Sequence, residues 1–275
     1  MDPARGSRKT DGSLKHVATT FREEAYGSYA SSLGRPVAGR NRDQSHYARR
    51  LIRRHFPRER TARIVDLGCG DGTLLSTAAT EGYSNSVGID LSPEQISAAQ
   101  LRGLHAVRQE DAFGFVERTP DGTVDVVLTL DILEHFTRDE VLRLAKGIQR
   151  ILSTSGRWLI HVPNGSSPMH GRIRYADLTH ETAYTTSSLA QLLRLAGFRE
   201  FTFYEDTPVV HGVKSAVRAF GWWIARALLR TFLAIETGNS GATEVFSQNL
   251  LAVAVKRTEA LEPASASSLG TRDAH

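Results

Sequence analysis

The sequence predicts an α/β protein in which mostly parallel strands form a doubly wound sheet with helices on both faces. Residues 63–67 form a short apolar strand that leads through a glycine-rich turn into a helical pattern around Leu74. Residues 124–130 form a second apolar strand, which is typical of a parallel strand covered by helices on both sides. We predict one α/β domain with additions, whose other strands lie at residues 86–90, 105–109, 156–162, 198–204 and 246–255.

The composition fits one sizeable hydrophobic core in a reducing compartment. The chain has 275 residues, of which 40% are hydrophobic, and its single cysteine, Cys69, excludes an intrachain disulfide. The sequence shows no signal-peptide pattern near Met1 and no uncharged apolar run of about 18 residues. We therefore expect a cytoplasmic protein that does not span a membrane.

Positive charge is concentrated near the beginning of the sequence. The formal net charge is +4, and residues 1–60 hold 14 Lys and Arg against 6 Asp and Glu. Such a basic arm is typical of a solvated terminus, and it also suits nucleic acid, anionic lipid or phosphate groups on a substrate carrier. Nucleic-acid binding is therefore the competing function of a different class. It is disfavoured, because the arm lacks interleaved aromatic residues and is joined to no recognisable nucleic-acid-binding fold.

A glycine-rich turn after the first strand predicts a ligand site. Gly68, Gly70 and Gly72 can adopt positive φ angles and let backbone N–H groups approach a bound molecule. Acidic residues flank the glycines, so the turn disfavours a phosphate and favours a ligand that carries positive charge. Asp90 ends the second strand about 20 residues later, where a carboxylate can accept hydrogen bonds from both hydroxyls of a ribose.

The turn from Asp66 to Gly72 resembles the first motif of the class I S-adenosylmethionine-dependent methyltransferases. The resemblance extends over about residues 63–203 and returns at residues 246–256. It implies a Rossmann-like, mixed seven-stranded sheet whose last strand is antiparallel. The N-terminal helical arm and the helical insertion between the last two strands lie outside the resemblance and are predicted from their own residues. The resemblance also implies S-adenosylmethionine as the cofactor, whose amino group and sulfonium supply the positive charge that the acidic turn favours.

The resemblance assigns the cofactor-binding residues one by one. Asp90 is the ribose ligand, and Asp111 accepts a hydrogen bond from the exocyclic amine of the adenine, although a solvated loop acid is the alternative. Tyr29, or Tyr26 instead, covers the methionine end of the cofactor unless the ring serves only in packing. The predicted cofactor-binding residues are Asp66, Gly68, Cys69, Gly70, Gly72, Asp90, Leu91, Asp111, Ala112, Leu130, Asp131 and Tyr29.

The acceptor side is predicted from two polar segments that follow strands. The motif from Asp131 to His135 resembles the family segment that approaches the transferable methyl group, and residues 165–184 form a polar loop after the fifth strand. We predict His180 as the general base and His135 as the second choice, and either ring could instead make a purely structural hydrogen bond.

Asp177 or Glu181 would fix the tautomer of His180. Together with His180 they could also hold Mg²⁺, which their spacing alone does not establish. The predicted acceptor-binding residues are His135, Asn164, Arg172, Arg174, Tyr175 and Tyr184.

Several segments together resemble bacterial methyltransferases associated with polysaccharides and glycoconjugates. They are residues 177–189, the apolar insertion, and residues 235–238 followed by residues 246–250. This resemblance implies O-methylation of a hydroxyl on a sugar or glycan. O- or N-methylation of a small-molecule natural product is the alternative within the same chemistry. A cofactor-binding protein without catalysis is a further alternative.

The predicted domain organisation places all chemistry in residues 21–257, the methyltransferase domain. Its parts are an N-terminal helical arm at 21–60, a substrate loop at 164–185 and an insertion at 207–243, and the flanking residues 1–20 and 258–275 are predicted to be disordered. Residues 213–235 form an apolar helix in the insertion that carries basic residues only. Packing on the core is the favoured role for this helix over a lid or a peripheral membrane contact.

Overall fold

The computed structural model describes residues 25–32, 42–238 and 244–257. The predicted disordered segments at 1–20 and 258–275 lie outside these residues. The strands are β1 (Ile64–Leu67), β2 (Ser86–Asp90), β3 (Val107–Gln109), β4 (Val124–Leu130), β5 (Leu152–Pro163), β6 (Glu200–Glu205) and β7 (Asn249–Val255). The helices are α1 (Tyr29–Ser32), α2 (Arg42–His55), α3 (Thr73–Thr80), α4 (Pro93–Leu101), α5 (Ala112–Arg118), α6 (Arg138–Ile151), α7 (His170–Arg174), α8 (Thr186–Leu195) and α9 (Val213–Thr237).

The seven strands form one mixed sheet in the order β3-β2-β1-β4-β5-β7-β6. Strands β1 to β5 are parallel, whereas β7 runs antiparallel to both of its neighbours, with Leu159 of β5 opposite Val253 of β7. The predicted Rossmann-like, doubly wound sheet with an antiparallel last strand is confirmed. The helical insertion between the last two strands is also present, as α9.

Helices cover both faces of the sheet because the central strands alternate apolar side chains between two cores. Val65 and Val127 pack into one core with α6 and α8, while Ile64 and Leu128 pack into the other with α2 and α3. Helix α6 begins at a capping box between Thr137 and Glu140, which satisfies the backbone donors of its first turn. Each fully buried aliphatic side chain in these cores stabilises the fold by about 1.5–3 kcal/mol relative to its exposed state.

Strand β5 begins earlier than the sequence predicts. The predicted strand started at Gly156, because the residues before it are polar, but β5 already pairs with β4 at Leu152. The pairing register shifts in between, and Ser155 adopts a φ of +66°. A bulge of this kind lets polar residues interrupt a strand without ending it.

The prediction that α9 packs on the core is wrong. Of its 25 described residues Ser215 is the buried one, whereas Phe220 and Trp223 are 63% and 65% exposed. An ion pair between Arg226 and Glu205 (3.1 Å) joins the helix to β6. None of the described helices combines the length and the hydropathy needed to cross a membrane.

Candidate functional site

The glycine turn between β1 and α3 is built for close packing. Gly68, Gly70 and Gly72 have φ angles of +74°, +53° and +73°, which side-chain-bearing residues rarely adopt. A Cβ at Gly68 would lie 2.2 Å from the side chain of Ile132, but a Cβ at Gly70 meets nothing closer than 3.8 Å. The turn therefore presents bare backbone to the space above Gly70.

The N–H groups of the turn contact the protein itself. The N–H groups of Gly68 and Cys69 donate to the carbonyl of Ile89 at 2.8 and 2.9 Å, and that of Gly70 donates to Asp90 Oδ2 at 2.9 Å. The expectation that these donors face a ligand is therefore wrong. Their effect is to fasten the turn to the end of β2 and to fix the orientation of the Asp90 carboxylate.

Two cavities meet at this turn. The first, of about 550 Å³, lies beside Tyr47, Asp66 and His161, and the second, of about 190 Å³, lies beside Asp90 and His135. Both are lined by Gly68, Gly70 and Asp131. Gly72 faces neither cavity. The structure brings the other predicted cofactor-binding residues to their walls: Asp66, Cys69 and Leu130 in the first, Tyr29, Leu91, Asp90, Asp111 and Ala112 in the second, and the three shared residues in both.

The polar groups of these walls fit an elongated cationic ligand that carries a ribose. Asp66 is 2% exposed, and its burial, reinforced by the charge of Asp90, raises its pKa to about 8. Asp90 accepts the N–H of Ser92 at 2.8 Å through Oδ1, and burial raises its pKa. The hydroxyl of Tyr47 is buried without a hydrogen-bond partner among the described residues, and Tyr47 lines the first cavity. A cation near Asp66 and an acceptor near Tyr47 would satisfy both groups.

A hydrogen-bonded network of charged side chains, which was not predicted from the sequence, lies in the first cavity. His161 of β5 is hydrogen-bonded through Nδ1 to Asp131 Oδ1 at 2.6 Å and through Nε2 to Asp206 Oδ2 at 3.4 Å. Burial opposes charge on the ring, but these carboxylates outweigh it and raise the pKa of His161 well above its usual value. Asp131 holds its position with a φ of +57°. A histidine inside an otherwise apolar strand was the signal that could have revealed this network.

Next to the second cavity, Glu134, His135 and His180 form a buried cluster. The rings of the two predicted base candidates lie 4.7 Å apart between centroids, and Glu134 Oε1 lies 3.9 Å from His180 Nε2. Burial, reinforced by the charge of Asp131, raises the pKa of Glu134, and burial together with His180 lowers that of His135 to about 4. Sequence reasoning passed over Glu134, although its motif places an acid directly before His135.

The N-terminal arm contacts this cluster through two aromatic rings. Tyr26 and Tyr29 stack with centroids 5.3 Å apart, and each meets the ring of His135 edge-on at about 6 Å. The Tyr29 hydroxyl donates to Asp177 Oδ2 at 2.9 Å. Both tyrosines line the second cavity, so the arm forms part of the same wall as Asp90 and His135.

A sequence model described as a methyltransferase domain matches residues 40–200. The chain belongs to this methyltransferase family. Its seven-stranded sheet, with the antiparallel β7 placed between β5 and β6, agrees with that assignment. By sequence family and by fold, the chain is a methyltransferase domain.

Curated relatives match this methyltransferase domain over part of their length. An uncharacterised 37.1 kDa protein from transposon Tn4556 of Streptomyces fradiae is 30% identical over 174 residues, which cover 57% of this chain and 49% of the relative. A ubiquinone biosynthesis O-methyltransferase of Xanthomonas oryzae pv. oryzae is 29% identical over 107 residues, which cover 38% of this chain and 44% of that enzyme. The chain thus spans less than half the length of these two relatives.

Solved structures share the fold over most of the chain. A SAM-dependent methyltransferase from Archaeoglobus fulgidus has a TM-score of 0.58 at 19% identity, with 83% of this chain and 98% of that chain covered. Phosphoethanolamine N-methyltransferase 2 from Haemonchus contortus, in complex with S-adenosyl-L-methionine, has a TM-score of 0.54 at 19% identity, with 86% and 57% covered.

The acidic partners predicted for His180 in this methyltransferase are wrong. His180 Nδ1 lies 3.2 Å from the carbonyl of Ile173, and the Glu181 side chain is exposed. Asp177 instead accepts hydrogen bonds from Tyr29 and Thr179. The predicted Mg²⁺ ligands Asp177, His180 and Glu181 are therefore not brought together, whereas Glu134, His135 and His180 are.

Two predicted acceptor-binding residues hold the fold instead. Asn164 is fully buried and donates to the carbonyls of Val245 and Ser247, and the buried Tyr184 donates to the carbonyl of Leu133 at 3.2 Å. Both residue types also occur in binding sites, so the sequence alone could not exclude them. Apart from His135, the other predicted acceptor residues lie in or next to α7: Tyr175 is exposed, Arg174 donates to the carbonyl of Glu181, and Arg172 lines a separate cavity beneath α9.

Proposed function

We propose that the protein catalyses S-adenosylmethionine-dependent O-methylation and that its acceptor is a hydroxyl of a sugar or glycan. The observation that carries the oxygen acceptor is the buried Glu134, His135 and His180 cluster beside the joined cavities. A hydroxyl is a poor nucleophile until its proton leaves, so its methylation needs a group that assists deprotonation. A neutral amine needs none.

Each of the two cavities is proposed to hold a different part of the cofactor. In this proposal Asp90 and Asp111 hold the ribose and the adenine in the second cavity. Asp66 and Tyr47 hold the amino and carboxylate ends of the methionine part in the first. The bound cofactor supplies a methyl carbon on a positively charged sulfur. Gly70, as the bare wall between the cavities, lets the ligand pass from one to the other.

In the proposed reaction the acceptor oxygen forms a bond to the methyl carbon while the bond between that carbon and sulfur breaks. The hydroxyl proton leaves to the cluster, and the cofactor leaves as an uncharged thioether. Holding the acceptor in line contributes most of the rate, and a positioned base adds about 10²–10⁴-fold. His180 is the proposed base, with His135 as the second choice.

The sugar acceptor rests on the resemblance of residues 177–189 to glycan-associated enzymes and on the polar loop after β5. Small-molecule O- or N-methylation remains the alternative. Nucleic-acid binding by the arm has less support, since Arg49 and Arg53 of α2 pair with Glu81 and Arg50 pairs with Asp206. Those arginines are committed to the protein itself.

For the exposed helix α9 we propose contact with an anionic lipid surface. Its exposed apolar residues are accompanied by the exposed Lys214 and Arg218, and residues 213–235 contain no acid. Basic residues on an amphipathic helix are attracted to anionic headgroups while its apolar residues enter the boundary of the acyl chains.

The test of the catalytic proposal is methyl transfer from labelled S-adenosylmethionine to a panel of sugars and phenols. His180→Ala should lower turnover by about 10²-fold or more and leave cofactor affinity unchanged, because the base contacts the acceptor alone. His105→Ala, an exposed histidine away from the cavities, is the control. A tenfold loss or less, with His135→Ala more damaging, would move the role to His135. Unchanged turnover in both variants would contradict hydroxyl activation at this cluster.

A further inference from the structure

We propose that Glu134, His135 and His180 form a binding site for a divalent transition-metal ion. The inference rests on the proposed function, because it concerns how the same cluster would handle the acceptor hydroxyl. The ligand atoms of the three residues lie within 4.8 Å of one another. Glu134 and His135 are buried, and the side chain of His180 is 10% exposed.

The hydrogen bonds around the cluster fix the tautomer of both imidazole rings and leave one nitrogen of each ring able to bind a metal ion. The hydroxyl of Thr179 donates its proton to Asp177 Oδ1 at 2.6 Å, so the 2.8 Å contact of Thr179 with His135 requires a proton on Nδ1 of that ring. Likewise, the carbonyl of Ile173 can only accept, which places a proton on Nδ1 of His180. Each ring then carries its lone pair on Nε2. Outer hydrogen bonds that fix a histidine tautomer in this way accompany metal-ligating histidines generally.

A bound cation would favour the ionised carboxylate of Glu134, which would then supply the negative charge of the site. The side chain of Glu134 is 1% exposed, and its Oε2 has no hydrogen-bond partner among the described residues. A buried carboxylate oxygen without a partner is costly, and coordination of a cation would remove that cost. The backbone carbonyl of Glu134 accepts the N–H of Glu181 at 2.7 Å, which holds the loop that carries His180 against the site.

The distances suit a first-row transition metal. Two ligand atoms that each lie about 2.1 Å from one ion can be at most about 4.2 Å apart. The 3.9 Å between Glu134 Oε1 and His180 Nε2 satisfies this limit, and ligand atoms of all three residues already lie within 4.8 Å of one another. Two imidazoles with one carboxylate favour ions such as Zn²⁺ or Mn²⁺ over Mg²⁺, which prefers oxygen ligands.

Three protein ligands leave coordination positions open to water or to an acceptor oxygen. A hydroxyl bound there loses its proton more readily, and the proton passes to water as the oxygen–methyl bond forms and the carbon–sulfur bond breaks. In this arrangement His180 serves as a ligand, and the ion replaces its ring as the group that assists deprotonation. Since His135 also lines the second cavity, the ion would lie beside the cofactor.

The experiment measures metal bound to the chelator-treated full chain after dialysis against Zn²⁺, Mn²⁺ or Mg²⁺, with affinity from calorimetry. Native protein should bind one equivalent of Zn²⁺ or Mn²⁺, and Glu134→Gln and His180→Ala should each bind at least about 100-fold more weakly. Glu117→Gln and His105→Ala, both exposed, are the matched controls and should bind as the native protein does. S-adenosylmethionine binding by each variant verifies that it is folded.

Absence of Zn²⁺ and Mn²⁺ binding by native protein would overturn the inference, as would equal binding by the Glu134 and His180 variants. Binding of Mg²⁺ alone would overturn the choice of a transition metal. Methyl transfer that persists at full rate in excess chelator would overturn the metal's role while leaving the proposed function intact. Stoichiometric metal binding without methyl transfer to any tested hydroxyl would support the metal site and contradict the proposed function.

Discussion

At the scale of single residues, Asp66 illustrates how a buried acid serves binding at the expense of stability. Its ordinary pKa is 3.8, and in the folded protein burial and Asp90 raise it to about 8. Because the folded pKa is the higher one, the contribution of Asp66 to stability is complete below pH 4 and is lost as the pH rises through 8. The charge that costs stability there is also the charge that would attract a cationic cofactor.

Asp66→Asn should therefore stabilise the free protein at pH 9 by roughly 1–3 kcal/mol, with little change near pH 4, and weaken S-adenosylmethionine binding. Urea unfolding at both pH values, with Asp121→Asn as an exposed control, measures the first effect, and calorimetry measures the second. A variant that is less stable than the native protein at pH 9 would contradict the burial of an unfavourable charge at Asp66.

Single residues were predictable from sequence where a motif fixes their spacing. Asp90 lies where its distance from the glycine turn indicated, because a strand–turn–helix–strand unit has a nearly constant length. His161 and Asp206 come together only through the pairing of β5 with β7 and of β7 with β6, which no local pattern encodes. The prediction that Asn164 binds the acceptor was wrong for a different reason. An asparagine that hydrogen-bonds to the backbone cannot be distinguished in the sequence from one that binds a substrate.

At the scale of elements, α9 separates what periodicity can predict from what it cannot. Its boundaries were predicted within two residues, because helix formation is a local property. Whether an apolar helix packs on the core depends on the space that the rest of the fold leaves for it. Here the rest of the fold buries Ser215, and most large side chains of the helix remain exposed.

The lipid-contact proposal predicts co-sedimentation with vesicles of phosphatidylcholine and phosphatidylglycerol but little with phosphatidylcholine alone, weakened by high salt. Phe220 and Trp223 stack at 6.2 Å and are both exposed, so their joint replacement by serine should weaken partitioning at least about tenfold. Leu101→Ser removes an exposed apolar residue on α4 and serves as the control. Equal sedimentation of the Phe220 and Trp223 variant would contradict a contact through α9.

At the scale of the whole molecule, strand order explains where the site lies. In the order β3-β2-β1-β4-β5-β7-β6, strands β2 and β3 are added on one side of β1, and β4 and the strands after it on the other, which opens a crevice at the carboxyl ends of β1 and β4. Gly68 follows β1, Asp131 follows β4, and both residues line the two cavities. The fold could be predicted because its strands and glycine turn follow local rules. The acceptor side depends on loops and on the insertion, which pack through contacts distant in sequence.

Calorimetric titration of the full chain with S-adenosylmethionine measures whether the joined cavities bind this cofactor. The native protein and Asp121→Ala, an exposed control, should each bind one equivalent. Asp90→Ala should bind roughly 10²-fold more weakly, because it removes two charge-assisted hydrogen bonds to the ribose. Failure of the native protein to bind, or equal affinity in Asp90→Ala with its fold intact, would contradict cofactor binding at this site.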